Sequence, residues 1–464
     1  MTLKFVNCKI NSVASDINLR VDPKYHIFLN SKSNWNVFEN DKKLINLNKI
    51  IKEKYKYFDL KNNEEYFGIP TGESYIDQDG LIINHKKVTL EDCPNRIKYE
   101  IDKDDIVLSS LRLAKTPSSN FENLKNLKKY IFSNGFYVFR VNKEWNKKFI
   151  MYLLRSKKIK KVIDSSIYRG IGISTYKFED LGKFRVPKIN INLQNKVVDK
   201  IDLIEKKISS LKSDYISEID IINEVFNEEF NFKTDEYKKL KKINNYQINL
   251  KHFSENIDLR NSAKFNRPSG KFILKDLKKN KIKKIKDFVS EEIALGKSVS
   301  PKDYYKDGEY IYISMADIKN YNVNKTDAKS VTREYSQNNI KKQVKINDIL
   351  IARSGEGTIG KVALVNDNSL KGIFSDFIIK ISLKQYTPKF AYYYFRSFYF
   401  QELIEIHKKG LGNNTNIFPS QIMEFPIIDL SISKQNLINN KIEKKLNEHK
   451  ELLNNIDLER NKIL

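Results

Sequence analysis

From Leu193 onward the apolar residues of the chain fall three and four apart: Val197, Ile201, Ile204, Ile208, Leu211, Tyr215, Ile219, Ile222 and Phe226. Charged and polar side chains fill the gaps, and neither proline nor glycine interrupts the run. That spacing predicts one long amphipathic helix of coiled-coil type over residues 191–232. A helix of roughly 32 residues spans about 48 Å. The spacing returns at the end of the chain with Leu437, Ile442, Leu446, Leu453, Ile456 and Ile463, which predicts a second long helix over 431–464. Before each helix lies a mixed region. Short strand-like runs such as Tyr310 to Ser314 and Asp348 to Ala352 are bounded by turn residues. Compact helical segments come next at Lys147 to Ile163 and Pro388 to His407, then a Gly-rich turn, then a run ending near Pro187 or Pro426.

The two halves are copies. Phe149-Ile150-Met151-Tyr152-Leu153-Leu154-Arg155-Ser156 returns as Phe390-Ala391-Tyr392-Tyr393-Tyr394-Phe395-Arg396-Ser397, an offset of 241. Ile17-Asn18-Leu19-Arg20 returns as Ile257-Asp258-Leu259-Arg260, and Asp105-Ile106-Val107-Leu108 as Asp348-Ile349-Leu350-Ile351. Phe132-Ser133, Gly170-Ile171-Gly172 and Gln194-Asn195-Lys196 match Phe374-Ser375, Gly410-Leu411-Gly412 and Gln435-Asn436-Leu437. Six matches in one order at a nearly constant offset imply two copies of one domain plus a linker. The period is far too long for a solenoid. The expected architecture is α+β: two similar mixed α/β domains over 1–190 and 233–430, each followed by a long helix. A single such helix would simply cover its own domain. Two of them favour packing on each other as an antiparallel coiled coil, a rigid spacer. The expected contact residues are Ile201, Ile204, Ile208, Leu211, Tyr215 and Ile222 on the first helix, with Ile442, Leu446, Leu453 and Ile456 on the second.

Composition narrows the partner. The 464 residues carry a net charge of +26, a surplus that repels itself unless a polyanion is near, and the usual polyanion is nucleic acid. Part of the surplus reflects a general Lys, Asn and Ile bias, but acidic residues do not rise to match. Two cysteines, Cys8 and Cys93, have no paired spacing, so neither a disulfide framework nor a zinc site is expected. No stretch of about 20 apolar residues exists and the N-terminus lacks a signal-peptide core, so the chain reads as soluble and cytoplasmic. Five histidines stand at 26, 85, 252, 407 and 449 without metal-ligand spacing.

One segment imitates a nucleotide site. Gly355, four residues, then Gly360-Lys361 nearly spells a P-loop, but Val362 stands where Ser or Thr would hold magnesium. The stretch from Lys361 to Val365 then reads as a strand, whereas a P-loop opens a helix. The better reading is a Gly-rich hairpin between two strands. Arg353, Ser354, Gly355, Glu356, Thr358 and Lys361 are its candidate DNA contacts, with a plain structural turn as the alternative. The turns at Arg169-Gly170 and at Lys408, Lys409, Asn413, Asn414 and Thr415 also set cations or amides beside flexible backbone. In the first half Ser109 to Lys115 replaces the hairpin without its glycines, leaving Arg112 and Lys115 as basic candidates. Gly68 to Gly72 has no clear match in the second half. The run Lys278 to Lys286 carries six lysines and is expected to add salt-sensitive, non-specific affinity.

Taken together, the Asp348–Gly355 phrase with Gly360-Lys361-Val362-Ala363, then Gly410 to Thr415, Pro426 and Gln435, resembles the specificity subunits of Type I restriction–modification systems. The resemblance covers nearly the whole chain. It implies two target-recognition domains, each reading half of an asymmetric, interrupted DNA site, with two antiparallel helices setting the gap. It also implies a non-catalytic scaffold with no cofactor of its own. Two adenine methyltransferase subunits would bring S-adenosylmethionine, and restriction subunits would bring ATP and magnesium. The residues agree on the lack of catalysis: no Pro-Pro pair exists for an amino-methyltransferase loop. The alternatives are the separate specificity chain of a Type II enzyme cutting beside a bipartite site, an RNA-binding or coiled-coil assembly protein, and a P-loop NTPase.

Overall fold

A computed structural model of the chain describes residues 35, 38, 43–61, 64–111, 116–163, 175–249, 262–355, 357–410 and 414–463. The chain divides into two compact units. The first comprises Met1–Asp214 with Asn454–Leu464, and the second Tyr215–Leu453.

In the first unit, Leu44–Asn46 pairs antiparallel with Arg185–Pro187, closing the domain's two ends on each other. Ile106–Ser109 and Ile51–Glu53 flank Phe136–Val141 in a three-stranded sheet. A five-stranded sheet is built around the parallel pair Tyr66–Ile69 and Tyr130–Ser133. Helix α1 (Lys147–Arg155) packs its Phe149, Ile150, Met151, Tyr152 and Leu154 into a core with Phe139, Phe184 and Val198. Helix α2 (Ile191–Ser213) contributes Val198 and Ile201 to that core.

The second unit repeats this plan. Ile282–Lys284 pairs with Pro426–Ile428. Ala294–Leu295, Ile378–Ile381, Ile349–Ala352 and Val362–Leu364 form a four-stranded sheet. Tyr310–Ile313 runs parallel to Gly372–Phe374. Helix α3 (Glu218–Phe230) is followed later by α4 (Pro388–Arg396), α5 (Phe398–His407) and α6 (Ile432–Arg460). The boundary between the units falls inside α6.

The equivalent parallel pairs supply what the sequence does not show. Phe67, Gly68 and Ile69 face Tyr130, Ile131 and Phe132, while Ile311, Tyr312 and Ile313 face Gly372, Ile373 and Phe374. The segment around Gly68 therefore has its counterpart at Ile311 to Ile313. The sequence hides this match because a ladder fixes backbone and not side-chain identity.

The buried residues Gln194 and Gln435 make the duplication physical. Each is 0% exposed, so each must satisfy its amide internally. The Gln194 Oε1 accepts from the backbone N–H of Asn146 at 2.7 Å, and its Nε2 donates to the Ile189 carbonyl at 3.0 Å. The Gln435 Oε1 accepts from the Thr387 N–H at 2.7 Å, and its Nε2 donates to the Leu430 carbonyl at 2.9 Å. One amide thus ties the first turn of a core helix to the start of the closing helix in both units. The ion pairs Lys148–Asp202 and Lys389–Glu443 recur at the same offset.

Three helical expectations need correction. The segment 191–232 is two helices, because the chain unwinds over 214–217. There Ser217 caps α3 by accepting from the Asp220 N–H at 3.2 Å. Helix α3 buries Ile222, Val225, Phe226 and Phe230 in the core of the second unit, with Phe226 5.7 Å from the Phe390 ring. Burying four such side chains is worth roughly 6–12 kcal/mol. That exceeds the roughly four backbone hydrogen bonds of one lost turn, about 0.5–1.5 kcal/mol each. The compact segments 147–163 and 388–407 are likewise helix pairs, broken at Ser156 and Ser397. The second closing helix, α6, is unbroken over 29 residues but ends at Arg460.

Helix–helix packing occurs within each unit. In the second, Lys434 and Lys441 both reach Glu229, and Lys445 reaches Glu228 at 3.2 Å and Glu224 at 3.8 Å, so α3 and α6 run antiparallel. Those hydrogen bonds from Lys434 and Lys441 hold the Glu229 carboxyl below its ordinary range. Ile222 and Ile442 are buried here and Leu446 half-buried. Tyr215 is largely exposed, its ring 5.1 Å from His449. Leu453 is also exposed. In the first unit Ile208 and Ile456 are buried, Ile204 and Leu211 half-buried, and Lys207 meets Glu459 at 2.5 Å.

Candidate nucleic-acid interface

The glycine-rich segment is a hairpin. Ile349, Leu350 and Ile351 pair antiparallel with Leu364, Ala363 and Val362, so a strand and not a helix comes after Lys361. The connecting turn is closed by the Gly360 N–H donating to the Ala352 carbonyl at 2.8 Å, and by the Thr358 and Ile359 N–H groups donating to the Gly355 carbonyl. Gly355, Gly357 and Gly360 have φ of 82°, 80° and 84°, a left-handed backbone that explains the glycines. A Cβ at Gly360 would also lie 2.7 Å from the Gln401 Oε1. Gln401, from α5, braces the hairpin by donating to the Gly360 carbonyl at 2.9 Å.

A second loop is laced to this hairpin. Ser354 bridges to Asn416, and Asn416 in turn exchanges both backbone hydrogen bonds with Lys409. The Gly355 N–H donates to the Thr415 carbonyl, and the Ile417 N–H to the Arg353 carbonyl. The structure thereby brings together the two candidate loops of the second half. Within them the side chains differ in what they can reach. Ser354, Thr415 and Lys408 are buried, and Lys408 is committed to Glu405 at 2.7 Å. Thr358 spends its hydroxyl on the Ser354 carbonyl at 2.6 Å, so it builds the turn. Lys361, Lys409 and Asn414 are exposed and Arg353 is half-exposed. Among the described residues Lys361 has no ion-pair partner. Glu356 and Asn413, with Arg112, Lys115, Arg169 and Gly170 of the first half, lie outside the described residues.

Two residues that sequence reasoning missed flank Arg353. Its guanidinium carbon lies 5.9 Å from the Phe377 ring centroid and 5.6 Å from that of Phe418. The Arg353 N–H donates to the Phe377 carbonyl at 2.9 Å. Phe377 and Phe418 are 44% and 39% exposed, so both can meet a ligand that reaches Arg353. Phe377 also lines a cavity of about 370 Å³ with Tyr304, Tyr312 and Met315.

The first unit has the same frame. Leu111 bridges to Thr175 as Ser354 does to Asn416. The Ser110 N–H donates to the Gly135 carbonyl at 2.9 Å, as that of Arg353 does to Phe377. The buried Asp105 and Asp348 start these strands alike, accepting from the N–H groups of Asp102 and Lys345. Arg140 pairs with Asp105 at 2.6 Å and Lys380 with Asp348 at 3.7 Å. These carboxylates shape the turn before the strand.

The lysine run is not the free patch it resembles in sequence. Lys279 pairs with Asp276, Lys281 and Lys283 with Asp429, and Lys284 and Lys286 with Glu424. The two lysines hold the Glu424 carboxyl down to about 2. Five of the six lysines are thus paired, but they share three carboxylates, so the run keeps a positive surplus. Among the described residues no group of three or more His, Cys, Asp or Glu could hold a metal, and no helix is long and apolar enough to cross a membrane.

Residues 277–458 match the family model described as Type I restriction modification DNA specificity domain. The second unit therefore carries a DNA specificity domain. Over those residues the chain is similar to the specificity domains of Type I restriction–modification systems. No curated protein matches it. Three solved structures align over 91% of this chain and 95% of their own. One, concerning complex assembly and conformational transition of the type I R-M system, is 15% identical with a TM-score of 0.43. The specificity subunit from Thermoanaerobacter tengcongensis is 14% identical with a TM-score of 0.33. The subunit from M. genitalium is 14% identical with a TM-score of 0.37.

Proposed function

We propose that the chain is a non-catalytic reader of a bipartite, asymmetric DNA site, each unit engaging one half. The observation that carries this reading is the repeated frame: one strand end, bridged to one loop, occurs once per unit with different side chains mounted on it. Identical readers would require a repeated half-site; divergent readers on one frame suit an asymmetric one. The exposed Lys361 and Lys409, with the hairpin amides, supply phosphate contacts that position the duplex. Pairing of the long helices as an antiparallel coiled coil sets the gap between the halves, and the chain scaffolds two modification subunits, joined in some complexes by restriction subunits. S-adenosylmethionine, ATP and magnesium would belong to those partners.

The test is co-expression of the chain with the modification subunit encoded beside it, followed by methylome sequencing. N6-methyladenine in a two-part motif that vanishes without this chain is expected. An unchanged methylome in the presence of an active modification subunit would sink the proposal.

A further inference from the structure

Resting on the DNA-reading proposal above, we infer that Arg353, held by Phe377 and Phe418, recognises the N7/O6 edge of one guanine in the half-site read by the second unit. The ladders give the counterparts of these three residues in the first unit without appeal to sequence similarity. Leu108 pairs with Tyr137 and Ser109 with Phe136, as Ile351 pairs with Ile379 and Ala352 with Ile378. One step further, Ser110 bonds Gly135 where Arg353 bonds Phe377. Two residues beyond the bridged Thr175 and Asn416 stand Lys177 and Phe418. The cation and both rings are thus present in one unit, and none of the three is kept in the other.

Three features aim Arg353 at a base edge. It forms no ion pair among the described residues, and its Nε is buried without a hydrogen-bond partner. Its remaining donors lie on the terminal nitrogens of a planar fork, which matches two acceptors in one plane. A phosphate also offers two acceptors to the same fork, so the choice between base and backbone rests on what surrounds the guanidinium. Two half-exposed phenyl rings beside the fork fit a groove floor of bases better than a charged backbone. Contact with both rings also fixes the guanidinium before DNA arrives, so less rotamer freedom is lost on binding.

The experiment uses the complete complex with its modification subunits. Methylome sequencing of the wild-type complex defines the motif. Binding is then measured on duplexes carrying 7-deazaguanine at each guanine of the motif in turn, and on duplexes carrying methylphosphonates. We expect one guanine, confined to one half-site, whose N7 loss weakens wild-type binding by about 5- to 150-fold. Arg353→Ala should lose at least as much on the natural duplex, lose nothing further from the 7-deaza substitution, and relax the motif at that position alone. Phe377→Leu, with thermal unfolding matched to wild type, should weaken the same discrimination without moving it. Equal loss on all sequences, reproduced by one methylphosphonate and with a salt slope lower by about 1, would reassign Arg353 to a phosphate and overturn the inference. An unchanged motif in Arg353→Ala would overturn it too, while leaving the DNA-reading proposal intact. Absence of any motif in the wild-type complex would remove both.

Discussion

Replacing Gln435 tests whether one buried amide fastens the closing helix to its domain. The side chain is 0% exposed. Its Oε1 accepts from the Thr387 N–H at 2.7 Å and from the Thr387 hydroxyl at 2.9 Å, and its Nε2 donates to the Leu430 carbonyl at 2.9 Å. Gln435→Met keeps the volume and removes all three bonds, leaving one backbone donor and one backbone acceptor stranded. Each stranded group costs about 1–3 kcal/mol, so local opening should become easier by about 2–6 kcal/mol. That corresponds to hydrogen exchange faster by roughly 30-fold to 10⁴-fold. The affected amides are those at the start of α4, near 387–391, and at the start of α6. Hydrogen-exchange mass spectrometry reads both. Exchange in the first unit, around Asn146 and α1, should stay unchanged, while Gln194→Met should produce the mirror pattern. If Gln435→Met changes exchange less than about threefold, or equally in both units, the amide is not a local fastener and the argument from burial fails.

Acid should release the end of α6 from the first unit. Burial pushes the Asp79 carboxyl up, but hydrogen bonds from Arg460 and Lys212 outweigh it, and the group sits below its ordinary value. A lowered folded value stabilises above the unfolded carboxylate range, and that stability is lost as pH falls through the folded value. Proteolysis of residues 454–463 should therefore accelerate below about pH 4, and Asp79→Asn should make it fast at neutral pH and flat with pH. Lys361→Ala should lower the slope of log affinity against log salt by about 1 without any change in nucleotide hydrolysis. Loss of an ATPase activity in that variant would restore the P-loop reading.

The duplication was legible in sequence because it rests on residues that both copies must bury or bond. Gln194 and Gln435 fasten the same joint, and Asp105 and Asp348 begin the same strand. The hairpin was legible because three left-handed positions demand glycine. The break at 214–217 was not, since a 3.6-residue period continues through a cap without registering it. Its only local sign was Ser217 followed by Glu218 and Asp220. Phe377 and Phe418 were not legible as surface groups either. An apolar residue after a strand reads as core, and only the fold shows these rings half in solvent against Arg353. The pairing of the lysine run was hidden for the opposite reason: its carboxylate partners Asp429 and Glu424 are remote in sequence.

The divergence of the two units is built in more deeply than three side chains. Gly135 stands where the second unit has Phe377, and a Cβ there would come within 2.9 Å of the Thr71 Cγ2. Thr71 comes two residues after the strand ending at Ile69, as Met315 comes two after the strand ending at Ile313. In the second unit that space is the cavity of about 370 Å³ that Met315 and Phe377 line together. A large ring at 135 therefore needs a change at 71 as well, and installing the second unit's chemistry in the first takes several linked substitutions. The backbone frame tolerates exchange because its bridges are made by N–H and C=O groups, which are blind to side-chain identity. The side-chain sets resist piecemeal exchange because each occupies space shaped by its neighbours. A half-site preference carried this way is expected to change by replacement of a whole domain more readily than by single mutations.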